Sequence, residues 1–256
     1  VNVEQAAVAL LKREDARSDG EPLTDEWPDL DLATAYQIQD ETLRLRLARG
    51  ETLVGVKLGL TSRAKQQRMN VTSPLTAWLT DAMVLPAGVP VPMDKLIHPR
   101  AEPEIVFVLG RDLAGPGVTA ATAMSAVESV LSGIEIIDSR YKDFRFTLPD
   151  VIADNASSGG FVTGPVAQSV VGTNWAAEAC CLEVDGLVVD TATGAAVQGH
   201  PAEALALAAN DLGRRGHTLR AGWLVLTGGM TDAVTVRLGT TVAADFTSLG
   251  RVVIGA

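Results

Sequence analysis

From residue 53 onward, glycine and proline cut the chain into short apolar runs at 53–60, 104–109, 133–138, 161–163, 181–184, 223–227, 233–237 and 241–246. Runs of that length between turn-forming residues read as strands, so this part of the chain has to build its core around a sheet. Val184-Asp185-Gly186-Leu187-Val188 adds a hairpin, because Asp-Gly readily supplies the two left-handed residues of a tight turn. Two helices are predicted to interrupt the strands, at 119–131 after Gly117 and at 201–214, where Pro201 suits a first turn and Gly216 closes the end. Ahead of residue 53 the pattern changes. Val3, Ala6, Ala7, Ala9, Leu10 and Leu11 recur at helical intervals, as do Ala35, Ile38, Leu43, Leu45 and Leu47, and the connection between them holds Pro22 and Pro28. The expectation is an α+β chain forming one domain over 1–256, with 1–52 as a helical subregion on a mixed, largely antiparallel β core.

Two glutamates, Glu102 and Glu104, stand at the head of the apolar run Ile105 to Leu109. In a strand, residues i and i+2 share a face, so the two carboxylates would sit side by side and repel unless a cation lies between them. Glu135 is flanked by Ile134, Ile136 and Ile137, where a lone carboxylate is costly unless paired or metal-bound. Three oxygen ligands of this kind favour a hard divalent ion, Mg2+ or Mn2+. Lys57 lies inside the glycine-framed run Gly55-Val56-Lys57-Leu58-Gly59-Leu60-Thr61-Ser62, where an ammonium either snorkels out to water or meets an anion. Asp150 to Gly160 and Thr227-Gly228-Gly229-Met230-Thr231 read equally as strand-capping turns and as loops whose backbone N–H groups approach a ligand carboxylate. Of the histidines, His200 suits a helix start, and His98 and His217 show no metal spacing.

A formal charge of −10, with the 21 Lys and Arg dispersed, argues against a nucleic-acid partner. Cys180 and Cys181 are adjacent, which excludes an internal disulfide framework and the usual zinc spacing. No apolar run reaches the roughly 18 residues of a membrane span. The N-terminus also lacks the basic-then-apolar order of a signal peptide, so a cytoplasmic protein is expected.

Taken in order, Gly55 to Ser62, Pro99-Arg100-Ala101-Glu102-Pro103-Glu104, Ile134-Glu135-Ile136-Ile137-Asp138-Ser139-Arg140, Ala153-Asp154-Asn155-Ala156-Ser157, Gly199-His200-Pro201 and Leu226-Thr227-Gly228 resemble the hydratase/decarboxylase branch of the fumarylacetoacetate hydrolase superfamily. The likeness spans nearly the whole chain. It implies a distorted β-roll or barrel core, a divalent metal on Glu102, Glu104 and Glu135, and Lys57 as the catalytic lysine. The substrate contacts it implies are Leu60, Thr61, Asp154, Asn155, Ser157, Ser158 and Thr227, with Arg140 or Arg145 orienting a distal carboxylate. Hydratases of this branch carry a Pro-Asp-aromatic-Gly stretch whose Asp can handle the water proton, and this chain has Ser73-Pro74-Leu75-Thr76 instead. The departure, together with the cation-rich stretch Asp138 to Asp150, favours a decarboxylase acting on a 2-oxo-enedioate, 4-oxalocrotonate, through a metal-stabilised dienolate. The alternatives are a 2-hydroxypenta-2,4-dienoate hydratase, an acylpyruvate-type C–C hydrolase and a non-catalytic scaffold subunit. The resemblance also implies a homo-oligomer and association with a cognate vinylpyruvate hydratase.

Overall fold

Residues 2–68, 71 and 73–256 are described by the structure, a computed structural model. Two long helices open it, α1 (Val3–Ala16) and α3 (Leu32–Ala48), with a single short turn of helix, α2 (Leu23–Glu26), in the proline-bearing connection. Each long helix starts at a side-chain cap, Asn2 accepting from the Gln5 N–H and Asp31 from the Thr34 N–H. The strands β1 (Leu53–Gly59), β2 (Leu75–Thr80), β3 (Arg100–Leu109), β4 (Val127–Ile137) and β5 (Ser158–Thr163) follow, interrupted by α4 (Arg63–Arg68), α5 (Ala120–Met124) and α6 (Leu148–Ala153). After them come β6 (Gln168–Ser169), β7 (Ala179–Val184), β8 (Leu187–Thr193), α7 (Pro201–Arg214), β9 (Leu224–Leu226), β10 (Val234–Thr235), β11 (Thr241–Phe246) and β12 (Gly250–Gly255).

One sheet runs β2-β1-β9-β3-β4-β5 and curls, with β10 pairing β3 and β6 pairing β4; the other runs β12-β11-β7-β8. The β1–β9 pair is parallel, and the other pairs are antiparallel. The Asp185-Gly186 hairpin forms as expected, both residues having positive φ. The helix expected over 119–131 does not: α5 ends at Met124 and Val127 already pairs with Leu109. Val127 to Ser132 carries apolar residues at a spacing that fits either period in a short window, and the long ladder with β3 decides the outcome. The strands β2 and β12 fall in stretches where no strand was expected.

Strand alternation assigns the two faces of the curled sheet. Ala101, Ile105, Phe107 and Leu109 on β3, with Val130, Ile134 and Ile136 on β4, enter the main core. The opposite face carries Val106, which packs with Leu79, Met83, Phe161 and Leu226 in a smaller cluster inside the curl. Glu102 and Glu104 share the face of Val106, so they stand at the open end of that cluster. A separate apolar cluster joins α1 and α3, through Ala6, Leu10 and Ile38, to Tyr141, Val151 and Ile152. The N-terminal helices thereby back the segment that walls the site. No helix among the described residues is long and apolar enough to cross a membrane.

Candidate metal centre

The β3–β4 register sets Glu102 directly across from Glu135 and Glu104 across from Gly133. Directly opposed residues of an antiparallel pair project to the same side, so the three carboxylates converge, each offering an oxygen within 4.8 Å of the others. All three are buried, Glu104 completely. Burial, reinforced by Glu135 and Glu102, pushes the Glu104 carboxyl well above its usual range. Burial also raises Glu135, outweighing the opposing pull of Lys57. The Glu104 Oε2 accepts the Gly228 N–H at 2.8 Å, whereas Glu104 Oε1 and Glu135 Oε2 are buried without a hydrogen-bond partner among the described residues. Unsatisfied carboxylate oxygens aimed at one point are what a hard divalent cation requires. Among the described residues Lys57 pairs with the cluster through Glu135, and a divalent ion would offset the negative charge of three converging carboxylates.

Lys57 is buried and held from two sides, its Nζ 2.8 Å from Glu135 Oε1 and donating to the Ala156 carbonyl at 2.6 Å. That carbonyl is aimed by consecutive left-handed residues, Asn155, Ala156 and Ser157, with φ of 48°, 52° and 57°. Such strained backbone persists only where its surroundings fix it. Asn155 fixes it here, bonding the Trp78 N–H and carbonyl on β2 through its side chain. Two glycines complete the seat of the carboxylates. A Cβ on Gly229 would fall 2.1 Å from Glu102 Oε2, and one on Gly228, where φ is +112°, would fall 2.1 Å from Thr61 Oγ1.

Lys57 and Glu102 open onto a cavity of about 490 Å3 whose other walls include Leu60, Leu75, Phe144, Phe146 and Ser157. Leu60 and Ser157 are thus among its walls, while Thr61, Asp154, Asn155, Ser158 and Thr227 are not. Thr227 is buried behind the site, its N–H and hydroxyl both on the Ile105 carbonyl. Thr61 turns its carbonyl to Gln198. The Asp154 carboxylate is taken by Arg140, Ser139 and Ser157, and Ser158 Oγ donates to the Asn155 carbonyl. Arg140 is engaged within the protein: its guanidinium donates to Asp154, to the Asp138 carbonyl at 2.7 Å and to the Ser158 carbonyl at 2.8 Å. The exposed side chain of Arg145 pairs with Glu21 and Asp25 of the N-terminal region. Arg100 and Asp232 line the cavity and were not singled out from sequence. Arg100 precedes Glu102 by two residues, so the alternation that found the glutamates also pointed to it. None of the three histidines lines the cavity; His200 instead caps α7 through its Nδ1.

The profile for the fumarylacetoacetate (FAA) hydrolase C-terminal family matches residues 52–254. The chain is 41% identical to a 4-oxalocrotonate decarboxylase of Pseudomonas sp. (strain CF600), over 89% of this chain and 86% of that one. It is 42% identical to a 2-hydroxyhexa-2,4-dienoate hydratase of Comamonas testosteroni, over 85% and 83%. The 4-oxalocrotonate decarboxylase of Pseudomonas putida G7, solved with magnesium and adipate, superposes with a TM-score of 0.97 at 38% identity, covering 99% of this chain and 96% of that one. With the family model matched over most of its length and relatives of about 40% identity covered nearly end to end, the chain belongs to the fumarylacetoacetate hydrolase family.

Proposed function

We propose that this chain decarboxylates 4-oxalocrotonate (2-oxohex-3-enedioate) to 2-hydroxypenta-2,4-dienoate and CO2, using Mg2+ or Mn2+ held by Glu102, Glu104 and Glu135. The observation that carries this reading is the cavity itself. Its charged end holds Lys57 and Glu102, and its wall presents Leu75, an aliphatic side chain that transfers no proton, from the stretch Ser73-Pro74-Leu75-Thr76 where the resemblance implies Pro-Asp-aromatic-Gly for a hydratase. Hydration needs a group to move a water proton onto carbon. Decarboxylation needs an electron sink.

The substrate is a vinylogous β-keto acid. When the C5–C6 bond breaks and C6 leaves as CO2, its electron pair forms the C4–C5 double bond, and the C3–C4 pair shifts to C2–C3 with charge reaching the C2 oxygen. A divalent cation at the three glutamates supplies Lewis-acid stabilisation of that developing charge. The chain's own contribution is placement. The Lys57 ammonium, fixed by Glu135 and the Ala156 carbonyl, presents a positive charge and a proton for the C2 oxygen of the product. Phe144, Phe146 and Leu75 exclude water from the conjugated carbons.

Relatives named as hydratases at similar identity favour a second reading, hydration of 2-hydroxypenta-2,4-dienoate. Incubation with 2-oxohex-3-enedioate and detection of CO2 separates the two. Release of CO2 that chelation abolishes and Mg2+ restores is expected; no CO2, or full activity after rigorous chelation, overturns the reading. The reading places the protein in the cytoplasm, supported by the two free cysteines. It also carries a homo-oligomer, supported by the exposed apolar edge Leu187, Val188 and Val189 of β8, and a complex with a vinylpyruvate hydratase, which co-sedimentation tests.

A further inference from the structure

Among the described residues, two cations line the cavity, Lys57 and Arg100. Lys57 is committed to Glu135 and Ala156 at the metal end. Arg100 is placed differently: its Cζ lies 4.0 Å from the centroid of the Phe144 ring, itself a cavity wall. Arg140 and Arg145 are both engaged by carboxylates of the protein, whereas the contact Arg100 makes is with a ring. Stacking on an aromatic face holds a guanidinium without a counter-ion and leaves its N–H edge open to a planar anion.

We propose that Arg100 is the specificity residue for the distal carboxylate of a dicarboxylic substrate, an assignment that rests on the decarboxylase reading for the identity of that substrate. Arg100 and Glu102 lie on one strand face, two residues and so about 6.7 Å apart along the strand. That spacing suits a six-carbon diacid whose near end sits at the glutamates. A bidentate guanidinium–carboxylate pair supplies both the affinity and the orientation. The chemistry limits how tightly this pair should hold. The distal carboxylate departs as neutral CO2, so a strong grip on its charge would stabilise the ground state more than the transition state. A half-buried arginine on a ring meets that limit, whereas a fully buried and cross-braced one such as Arg140 would not. Arg100 therefore acts on substrate selection and KM more than on kcat.

The test uses adipate, the diacid present in the relative's structure, and hexanoate, which keeps one carboxylate and the same chain length. Both are titrated calorimetrically into the Mg2+-loaded full chain. The wild type is expected to prefer adipate. Arg100→Met should weaken adipate by at least about tenfold, the worth of one charged hydrogen-bonded contact, and leave hexanoate within about twofold. Arg100→Lys, which keeps the charge and loses the fork, should fall between them. With 2-oxohex-3-enedioate, the KM of Arg100→Met should rise more than kcat falls. Equal weakening of both acids, or an adipate preference that survives Arg100→Met, overturns the assignment. A wild type that releases no CO2 yet loses its adipate preference on Arg100→Met would sink the decarboxylase reading and sustain this one.

Discussion

Two regions meet at the cavity and are built on different principles. The β3–β4 ladder delivers three carboxylates by repeat geometry: alternation puts Glu102 and Glu104 on one face, and register puts Glu135 opposite. The segment from Asp138 to Ser158 delivers the other wall with little regular structure, held by side chains reaching backbone. Arg140 ties together Asp154, the Asp138 carbonyl and the Ser158 carbonyl, while Asp150 bonds Thr24 and Thr147. The ladder can lose a side chain and keep its backbone, since its hydrogen bonds are main-chain. The braced segment cannot, because there the side chains are the framework.

The largest effect expected from this contrast is therefore on stability, away from the metal. Arg140→Met leaves Asp154 buried without its partner, a change that costs about 3–5 kcal/mol and lowers the thermal midpoint by roughly 10 °C. Magnesium affinity of the protein that remains folded should be unchanged. Thermal unfolding beside a Mg2+ titration checks both, and a midpoint near the wild type would mean the segment is held by something other than its arginine.

Glu104→Gln should do the reverse. The amide keeps an acceptor for the Gly228 N–H and removes a buried charge that burial and two neighbouring carboxylates oppose. Without metal, the variant is expected to be at least as stable as wild type. Its Mg2+ affinity should fall by more than about a hundredfold, since even outer-shell changes around metal ligands cost 10–100-fold. An unchanged titration would remove Glu104 from the ligand set; a drop in metal-free stability would show the carboxylate to be structural.

Lys57→Met tests the junction of the two regions, because Lys57 touches Glu135 on the ladder and Ala156 on the braced segment. Turnover should fall by at least about tenfold, 1.4 kcal/mol or more of barrier. Metal binding should not weaken, since removing an ammonium leaves the carboxylates more negative. Stopped turnover with weakened metal binding would instead mark Lys57 as a scaffold for the glutamates.

The same contrast explains what could be read from sequence. Period-two alternation is local, so Glu102 and Glu104 were legible as neighbours on one face and the isoleucine-flanked Glu135 as a carboxylate in need of a partner, whereas their convergence depends on the β3–β4 register. Arg100, two residues before Glu102, was legible by the same rule, unlike the two arginines of the 138–150 stretch. Their positions were not legible. Whether Arg140 points into the cavity or back into the protein depends on Asp154 and on carbonyls of Asp138 and Ser158, and on a chain that turns through positive φ at Asn155, Ala156 and Ser157. None of these three is a glycine, so the polar composition of Asp150 to Gly160 marks a turn but not its run of three left-handed residues. The strand β4 was half-hidden for a related reason: its first residues are strand only because β3 pairs with them.

The smallest expected effect is the sharpest check on the boundary between the regions. Arg145 sits between Phe144 and Phe146, which wall the cavity, yet its own side chain is exposed and pairs with Glu21 and Asp25. Exposed pairs of this kind are screened by salt and contribute little. Arg145→Ala is expected to leave the thermal midpoint within experimental scatter, with KM for 2-oxohex-3-enedioate changed by less than about twofold. If KM instead rose as it should for Arg100→Met, the arginine would have to leave its N-terminal partners and turn inward when substrate binds. The braced wall would then be a moving part, and its many long-range ties would serve to set the resting position of a closing segment rather than to fix the cavity once and for all.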